Sequence, residues 1–435
     1  YDTLNKKHLF PRKIKKEGIP MQKNKRTIFH IDVNNAFLSW TAVQRLKDGE
    51  FLDIREIPSA IAGESQSRRG IILAKSTPAK RFGIQTGEPT IKAKQKCPDL
   101  LCFPPDFPLY SRCSESMFQI LQTYSDRVEQ FSIDEGFLDY TGMEALFGQP
   151  LDAAKQIQQT IYQTLGFTVN IGISSNKLLA KMAGELEKPN KILTLYPEEI
   201  PEKLWTLPVE ELFMVGRRTA PKLHKMGIRT IGELAHYPTA LLTKEFQSYG
   251  MLLHAFANGI DDSSVATSDT QTTAKSIGNS TTIAYDVTDA QTAHRILLAL
   301  SETVSLRLRQ SNLCAQEIAV TIKTNDFIVH SHQKQLYNAI DCTNAVYAAA
   351  KDAFHAIWHG APIRLLGVRA GKLCQEDCIQ LSFLEQDWEK QRQADNAMDI
   401  IRMKYGKNAV QRSTFIGECE KAYEGGKLKI NNRIF

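Results

Sequence analysis

Apolar positions recur along the first half of the chain with the period of strands in some stretches and the period of helices in others. Short apolar or alternating runs predict strands, and apolar residues three and four apart predict amphipathic helices. In chain order the pattern predicts a strand at 27–31, helices at 36–46 and 114–124, and a β-hairpin at 127–140. It then predicts a helix at 152–165, a strand at 168–173 and a helix at 176–187. This order is that of a ferredoxin-like sheet with helices on one side.

The remaining stretches predict further modules. Residues 51–103 hold short apolar runs broken by glycines, which predict a small insertion of strands and turns. From 197 to 262 the pattern is helical with short turns. Residues 276–384 again predict a sheet with two helices, here at 289–310 and 344–358. The chain is therefore expected to be an α+β protein of several domains.

The composition is that of a soluble globular protein, with 42% hydrophobic and 23% charged residues. No apolar run approaches the ~18–20 residues of a membrane span. We therefore expect no membrane partner. The eight cysteines lack the spacing of a zinc set, which favours reduced thiols in the cytoplasm. The net charge of +6 suits a polyanionic partner if the positive charge is clustered. Residues 1–25, which are rich in lysine, are expected to form a basic arm outside the fold.

Three carboxylates stand where predicted strands end. Asp32 follows the first strand, and Asp134 and Glu135 lie at the turn of the hairpin about a hundred residues later. Neighbouring strands are ~4.8 Å apart, so carboxylates at adjacent strand ends can approach one another. Magnesium prefers hard oxygen ligands, and two ions with a shared carboxylate can catalyse phosphoryl transfer. An Asp-Glu pair in a solvated turn is the ordinary alternative.

The strings around these carboxylates resemble those of the Y-family translesion DNA polymerases, most closely the bacterial DNA polymerase IV branch. His30-Ile31-Asp32 is similar to the first metal motif of that family, and Ser132-Ile133-Asp134-Glu135 to the second. The resemblance extends from about residue 25 to residue 415. It implies two Mg²⁺ ions, for which Mn²⁺ can substitute. The implied ligands are the carboxylates of Asp32, Asp134 and Glu135 and the backbone carbonyl of Val33.

The resemblance also implies a nucleotide site. Phe37 lies five residues after Asp32, the spacing of the aromatic steric gate that excludes ribonucleotides in the family, although a core phenylalanine is the alternative. The string 73–84 is similar to the finger motif that holds the triphosphate. Where relatives have tyrosine and arginine, this chain has Thr77 and Lys80, and Ser76 adds a hydroxyl. Lys188-Pro189-Asn190 matches the KPN string, which implies that Lys188 contacts the triphosphate, with support from Lys177 and Lys181.

Two regions are expected to hold DNA. The string 207–219 resembles a helix-hairpin-helix, with Met214 in place of its first glycine, and a plain helical turn is the alternative. The implied contacts in this hairpin are Val215, Gly216, Arg217 and Arg218. The module 276–384 resembles the little finger of the family, with Lys275 and Ser276 at its start. Its other candidate phosphate contacts are Arg307, Arg309, Lys323, Lys334, Arg364, Arg369 and Lys372.

A short string after this module resembles the peptide that binds the bacterial sliding clamp, Gln-Leu-Ser-Leu-Phe, with its last two residues exchanged. Its residues are Gln380, Leu381, Ser382, Phe383 and Leu384. A string of five residues also arises by chance, so chance similarity is the alternative. The stretch 388–405 predicts a charged helix of unassigned role.

The resemblance implies a ferredoxin-like palm, inserted small fingers, a helical thumb, a linker, a sheet-plus-two-helices little finger and a C-terminal helix and tail. The expected bounds are 26–43 with 104–195 for the palm, 44–103 for the fingers and 196–262 for the thumb. They are 263–275 for the linker, 276–385 for the little finger and 386–435 for the C-terminal helix and tail. The implied function is error-prone, template-directed DNA synthesis across damaged template without proofreading, by a monomer that binds primer–template DNA, dNTPs and a sliding clamp. The alternatives are a non-catalytic DNA-binding scaffold of the same fold and a nucleotide cyclase.

Overall fold

Three β-sheets organise the residues that a computed structural model describes, namely 26–63, 70–267, 274–375, 387–406 and 409–415. The elements of the first half, in chain order, are β1 (Ile28–Val33), α1 (Ala36–Lys47), β2 (Ser59–Ala62), β3 (Ile72–Lys75), α2 (Thr77–Arg81), α3 (Thr90–Lys96), β4 (Leu101–Phe103), α4 (Phe107–Gln122), β5 (Val128–Gln130), β6 (Glu135–Asp139), α5 (Glu144–Phe147), α6 (Pro150–Leu165), β7 (Val169–Ser174), α7 (Lys177–Leu186) and β8 (Ile192–Thr194). The α+β expectation is confirmed.

The palm sheet is the five-stranded sheet, in the order β5-β6-β1-β7-β8. Its first four strands are antiparallel neighbours in the order that the ferredoxin-like prediction requires. The fifth strand, β8, runs parallel to β7 and was not predicted. It has only three residues, which is too few for an alternation of apolar and polar positions to be recognised.

The two faces of the palm sheet pack against different helices. The alternate residues Phe29, Ile31 and Val33 of β1 enter a core that they share with α4 and α6. The intervening residues of β1 face α7, which covers the opposite side. The expectation that the helices lie on one side is therefore wrong for α7, because the alternation of β1 shows that both faces are buried but not which helix covers each.

Helix α7 lies unusually close to strand β7, because glycines face each other at the contact. A Cβ atom placed on Gly172 would be 2.0 Å from the carbonyl oxygen of Ala180 and 2.4 Å from the backbone nitrogen of Gly184. No side chain fits in that space, so the absence of a Cβ at position 172 permits this backbone contact. The outer face of α7, with Leu178 and Met182, packs into the next module.

The insertion forms a small sheet in the order β3-β2-β4. The prediction of strands and turns is incomplete here, because the insertion also contains α2 and α3. Helix α2 begins with a recognisable cap: the hydroxyl of Ser76 accepts a hydrogen bond from the backbone nitrogen of Ala79 at 3.1 Å, and Pro78 lies in the first turn. Its five residues are too few for a helical period to show in the sequence.

The helical segment after the palm is built from short helices, as predicted. They are α8 (Ala220–Lys225), α9 (Ile231–His236), α10 (Thr239–Phe246) and α11 (Ser248–Ala257), preceded by helical turns at Pro197–Glu199, Ile200–Leu204 and Val209–Glu211. The extended chain that leaves α11 returns to the palm, where Val265 is buried against Ile28, Phe137 and Ala180. The first part of the stretch expected to be a linker is therefore packed.

The C-terminal half contains β9 (Ser276–Val287), α12 (Ala290–Gln310), β10 (Leu313–Thr324), β11 (Val329–Ile340), α13 (Thr343–His355), β12 (Ile363–Gln375) and α14 (Asp387–Tyr405), then a turn at Ser413–Phe415. The sheet is antiparallel in the order β11-β10-β12-β9, and α12 and α13 pack on it around one apolar core. The predicted sheet with two helices is confirmed. No described helix is both long and apolar enough to cross a membrane.

Helix α14 docks onto this unit through buried ion pairs. Arg309 of α12, whose side chain is 6% exposed, pairs with Asp395 at 3.2 Å and with Asp399 at 2.7 Å. Arg392 pairs with Asp341 of the loop before α13 at 2.7 Å. The proposal of Arg309 as a phosphate contact is therefore wrong, because two carboxylates of α14 enclose its guanidinium group.

Candidate active site

Strand pairing brings the three carboxylates together. Asp32 of β1 lies directly opposite Glu135 of β6 in the antiparallel register. The backbone nitrogen of Val33 donates a hydrogen bond to the carbonyl oxygen of Asp134 at 3.0 Å, so Asp134 lies at the same end of the strand pair. Residues about a hundred positions apart in the sequence therefore converge where two neighbouring strands meet the same end of the sheet, as the sequence predicts.

Two lysines, one on α7 and one just after its end, neutralise these carboxylates. The Nζ atom of Lys188 lies 2.5 Å from an oxygen of Asp32 and 2.9 Å from one of Glu185. Lys181 donates to the Oε2 atom of Glu135. Both lysines are thus at the carboxylate site. Lys177, in contrast, pairs at 2.8 Å with Glu129 and is directed away from Asp32 and Glu135.

The carboxylates differ in how readily they ionise. Burial raises the pKa of Asp32 to about 6, and the attraction of Lys188 offsets this only in part. For Glu135, burial acts in the same direction, but the hydrogen bond from His30 and the charge of Lys181 outweigh it and hold the pKa at about 2. Asp134 accepts a hydrogen bond from the Ser132 hydroxyl at 2.6 Å. The site therefore combines a Glu135 carboxyl group that ionises readily with an Asp32 carboxyl group that ionises less readily.

The donor set fits the hard divalent cations that the sequence implies. Three carboxylates and the Val33 carbonyl are all oxygen donors, which Mg²⁺ prefers. In the described part of the chain no three acidic, histidine or cysteine side chains already surround one point. Instead, Asp32 and Glu135 are directed towards Lys188 and Lys181. Cation binding to Asp32 would therefore displace the ammonium group of Lys188.

Phe37 lies in the first turn of α1, half-buried, with aromatic side chains behind it. Its ring stacks on Tyr110 of α4 with centroids 4.6 Å apart, and Phe107 meets it edge-on at 6.3 Å. The Tyr110 hydroxyl lies 3.0 Å from that of Thr41. The ring at position 37 is therefore rigidly supported, which a steric gate needs.

The finger residues differ in accessibility. Thr77 and Lys80 are exposed on α2. Ser76 is 1% exposed, and its hydroxyl donates to the carbonyl of Ile57 at 2.6 Å as well as capping α2. These contacts give Ser76 a structural role, and its predicted contact with a nucleotide stays a prediction.

Asn170, a residue that the sequence analysis did not single out, fixes the turn that carries Lys188. It is fully buried in β7, and its amide nitrogen donates to the carbonyl oxygens of Gly184 and Glu187 at 3.0 and 2.7 Å. Its side-chain oxygen accepts hydrogen bonds from Asn34 at 3.1 Å and from the backbone of Lys191 at 3.2 Å. The signal was present in the sequence, since an asparagine in the middle of a buried strand needs partners.

The hairpin at 212–217 explains the unusual Met214. Its φ is +79°, a left-handed conformation that favours glycine, so Met214 adopts at some cost the backbone of the residue it replaces. The Val215 side chain is buried and its backbone nitrogen donates to Leu212 at 2.9 Å. Gly216, Arg217 and Arg218 are exposed on the way into α8. Contacts of these residues with DNA stay predictions.

Two groups of predicted contacts lie beside or within gaps in the described chain. Lys275 is exposed and Ser276 is half-buried at the start of β9. The string 380–384, predicted to bind a sliding clamp, lies outside the described residues.

Comparisons with known proteins agree along most of the chain. Family models match residues 31–185 (impB/mucB/samB family), 274–383 (the C-terminal domain of that family) and 210–261 (DNA polymerase-iota, thumb domain). DNA polymerase IV of Clostridium acetobutylicum is 46% identical, covering 91% of this chain and 100% of that protein. DNA polymerase IV of Acetivibrio thermocellus is 35% identical, covering 90% and 98% respectively.

Solved structures show the same fold at lower identity. A Dbh–Dpo4 Y-family DNA polymerase chimera superposes with a TM-score of 0.69 at 22% identity, covering 80% of this chain and 99% of that one. An insertion ternary complex of Dbh DNA polymerase superposes with a TM-score of 0.55 at 23% identity, covering 79% and 98% respectively.

Proposed function

The chain belongs to the Y-family of DNA polymerases, in the bacterial DNA polymerase IV branch, and from that premise we propose that Asp32, Asp134 and Glu135 bind its two catalytic Mg²⁺ ions. It is a translesion, DNA-directed DNA polymerase, which binds DNA and dNTPs. The observation that supports this assignment is the register of β1 and β6, which sets Asp32 opposite Glu135 with Asp134 alongside. The Val33 carbonyl completes the proposed ligand set.

The proposed ions would supply the charge that activates the primer hydroxyl and neutralises the triphosphate. The protein itself would position the reactants. Lys188, released from Asp32, would be available to pair with phosphate oxygens, and Lys181, on α7 beside Glu135, would support it. Thr77 and Lys80 of α2 would bind the triphosphate from the finger side. Because lysine acts as a point charge, Lys80 would neutralise phosphate without the two-pronged contact of an arginine.

Selection of the sugar is proposed to rest on Phe37. A ring held from behind by Tyr110 and Phe107 cannot move away from a bulky 2′ substituent. Discrimination by bulk therefore needs no hydrogen bond to the sugar.

The DNA is proposed to lie between the thumb hairpin and the little finger. Gly216, Arg217 and Arg218 would contact backbone phosphates from the hairpin, and Lys275 and Ser276 from the start of β9. Such contacts do not depend on the DNA sequence, and they weaken steeply as the salt concentration rises.

We propose the division of the chain that the sequence analysis gave. The palm would comprise 26–43 and 104–195, the fingers 44–103, the thumb 196–262 and the little finger 276–385. A sliding clamp would bind 380–384, the enzyme would act as a monomer, and its place of action would be the bacterial cytoplasm, at the nucleoid.

A primer-extension assay tests the assignment. Purified protein receives a primed template, all four dNTPs and Mg²⁺, and DNA binding is followed separately by fluorescence anisotropy. The double variant Asp134→Ala, Glu135→Ala should lose extension while it keeps its DNA affinity. The control variant is Asp152→Ala, an exposed carboxylate of α6 on the other side of the palm sheet, which should extend normally.

The assay also separates the alternatives. A scaffold would bind DNA without extending any primer, and a cyclase would consume triphosphate in the absence of DNA. Extension by the Asp134, Glu135 double variant at the wild-type rate would show that the metal ligands lie elsewhere.

A further inference from the structure

We propose that His30 is a positioning residue, which holds the carboxylate of Glu135 so that one of its oxygens is directed to the catalytic metal. This proposal rests on the proposed role of Glu135 as a metal ligand. It makes His30 a determinant of how much Mg²⁺ the enzyme needs, although the imidazole touches neither substrate nor metal.

The first support is the direct contact between the two side chains. His30 lies on β1 two residues before Asp32, on the same face of the palm sheet, and is fully buried. Its Nε2 atom is 3.0 Å from the Oε2 atom of Glu135, which reaches it diagonally from the neighbouring strand. Because a carboxylate group can only accept hydrogen bonds, Nε2 of His30 is the donor in this contact.

The second support is the way in which the two oxygens of Glu135 are used. His30 and Lys181 both donate to Oε2. No side chain or backbone group among the described residues hydrogen-bonds to Oε1. Two donors on one oxygen fix the rotation of the carboxylate and leave the other oxygen for an external ligand. Metal-binding carboxylates are commonly oriented by hydrogen bonds of this kind.

The third support is the cost of keeping a histidine at this position. The other ring nitrogen, Nδ1, is buried and has no hydrogen-bond partner among the described residues. It faces α7, where a Cβ on Gly184 would lie 3.4 Å away. A buried polar atom without a partner destabilises the folded protein, because it has lost its hydrogen bond with water. An apolar side chain would fill the same space without that cost, so packing alone does not explain the imidazole, whereas the bond from Nε2 does.

Three substitutions at this position separate positioning from packing. His30→Gln can place an amide nitrogen near the Nε2 position, His30→Asn places one near Nδ1, and His30→Leu fills the space without a donor. Each full-length variant is assayed for single-nucleotide insertion at saturating dNTP over a range of Mg²⁺ concentrations. Thermal unfolding is recorded without metal.

The expected result is a shift in the metal requirement. For His30→Leu and His30→Asn the Mg²⁺ concentration at half-maximal rate should rise by at least about tenfold, the range seen when groups that orient metal ligands are removed. His30→Gln should restore it to within a few-fold of wild type. The Mg²⁺ concentration that each variant requires should depend on whether residue 30 places a hydrogen-bond donor near the Nε2 position. It should not depend on the melting temperature of the variant.

Two results would overturn the proposal. One is a wild-type Mg²⁺ requirement in His30→Leu, and the other is an equal requirement in His30→Gln and His30→Asn, both of which are polar and of similar size. Glu135→Ala, assayed in parallel, tests the premise separately. If that variant still extends primers, the assignment of Glu135 as a ligand fails. If it is inactive while His30→Leu is unaffected, only the role of His30 fails.

Discussion

Replacing Gly172 with alanine tests whether the contact between α7 and β7 sets the positions of the active-site lysines. The new Cβ would lie 2.0 Å from the Ala180 carbonyl oxygen, whereas ordinary contacts begin at 3.4 Å, so the helix must move by about 1.4 Å. Backbone atoms cannot rotate away as a side chain can. Overpacking of this kind costs about 1–3 kcal/mol or more. A displacement of ~1 Å in a catalytic group can cost ~10²-fold in rate.

The facing glycine provides a matched control. A Cβ on Gly184 would meet nothing closer than the His30 Nδ1 atom at 3.4 Å, an ordinary contact. Alanine also favours a helix over glycine by ~1 kcal/mol. Gly184→Ala should therefore be near neutral in stability and rate, although it makes the same chemical change as Gly172→Ala.

The assay combines thermal unfolding with single-turnover insertion at saturating Mg²⁺ and dNTP. Gly172→Ala should lower the melting temperature by about 2–12 °C, at ~2–4 °C per kcal/mol, and slow insertion by about a hundredfold. A wild-type rate in Gly172→Ala would refute the argument that this contact sets the lysine positions. Equal damage in both variants would refute it as well, because it would show that the two glycines matter for a reason other than the close approach.

Three further perturbations give distinct outcomes. Phe37→Ala should raise the kcat/KM for ribonucleotides relative to deoxynucleotides by at least about tenfold, measured with paired insertions opposite one template base. Arg309→Met removes the guanidinium group that pairs with both buried carboxylates, Asp395 and Asp399, and should cost about 3–5 kcal/mol of unfolding free energy, with an unchanged salt dependence of DNA binding at a temperature where both proteins are folded. Burial raises the pKa of Asp32 from 3.8 to about 6, so its ionisation costs stability as the pH rises from about 4 to above 6. Asp32→Asn should therefore raise the melting temperature of the metal-free protein more at pH 8 than at pH 5.

The sequence predicted the convergence of the carboxylates because two kinds of information agreed. The apolar runs before Asp32 and around Glu135 indicated strands, and the family strings indicated that these strands meet. Strand pairing then leaves little freedom, since the register of β1 with β6 sets the two side chains opposite each other. The same patterns did not reveal the role of α7 against the second face, because a helix with one apolar side and one basic side also occurs at a solvated surface.

Other features of the structure could not be predicted from the local sequence pattern. Arg309 looked like a surface cation, because its carboxylate partners lie almost ninety residues later on a helix that had no assigned role. Met214 looked like a defect in the hairpin motif, yet the backbone takes the left-handed conformation regardless. In both places the outcome depends on long-range contacts or on conformational strain, neither of which leaves a periodic signal in the sequence.

The docking of α14 has a practical consequence for anyone who shortens this protein. Ending the chain before residue 387, the simplest way to delete the string 380–384, would also remove the acidic side chains that surround Arg309 and the arginine that covers Asp341. A truncated enzyme that no longer responds to a processivity factor could then have lost a stable little finger as well as a recognition sequence. Alanine replacements at Gln380 and Leu381 would leave those ion pairs in place and isolate recognition from folding.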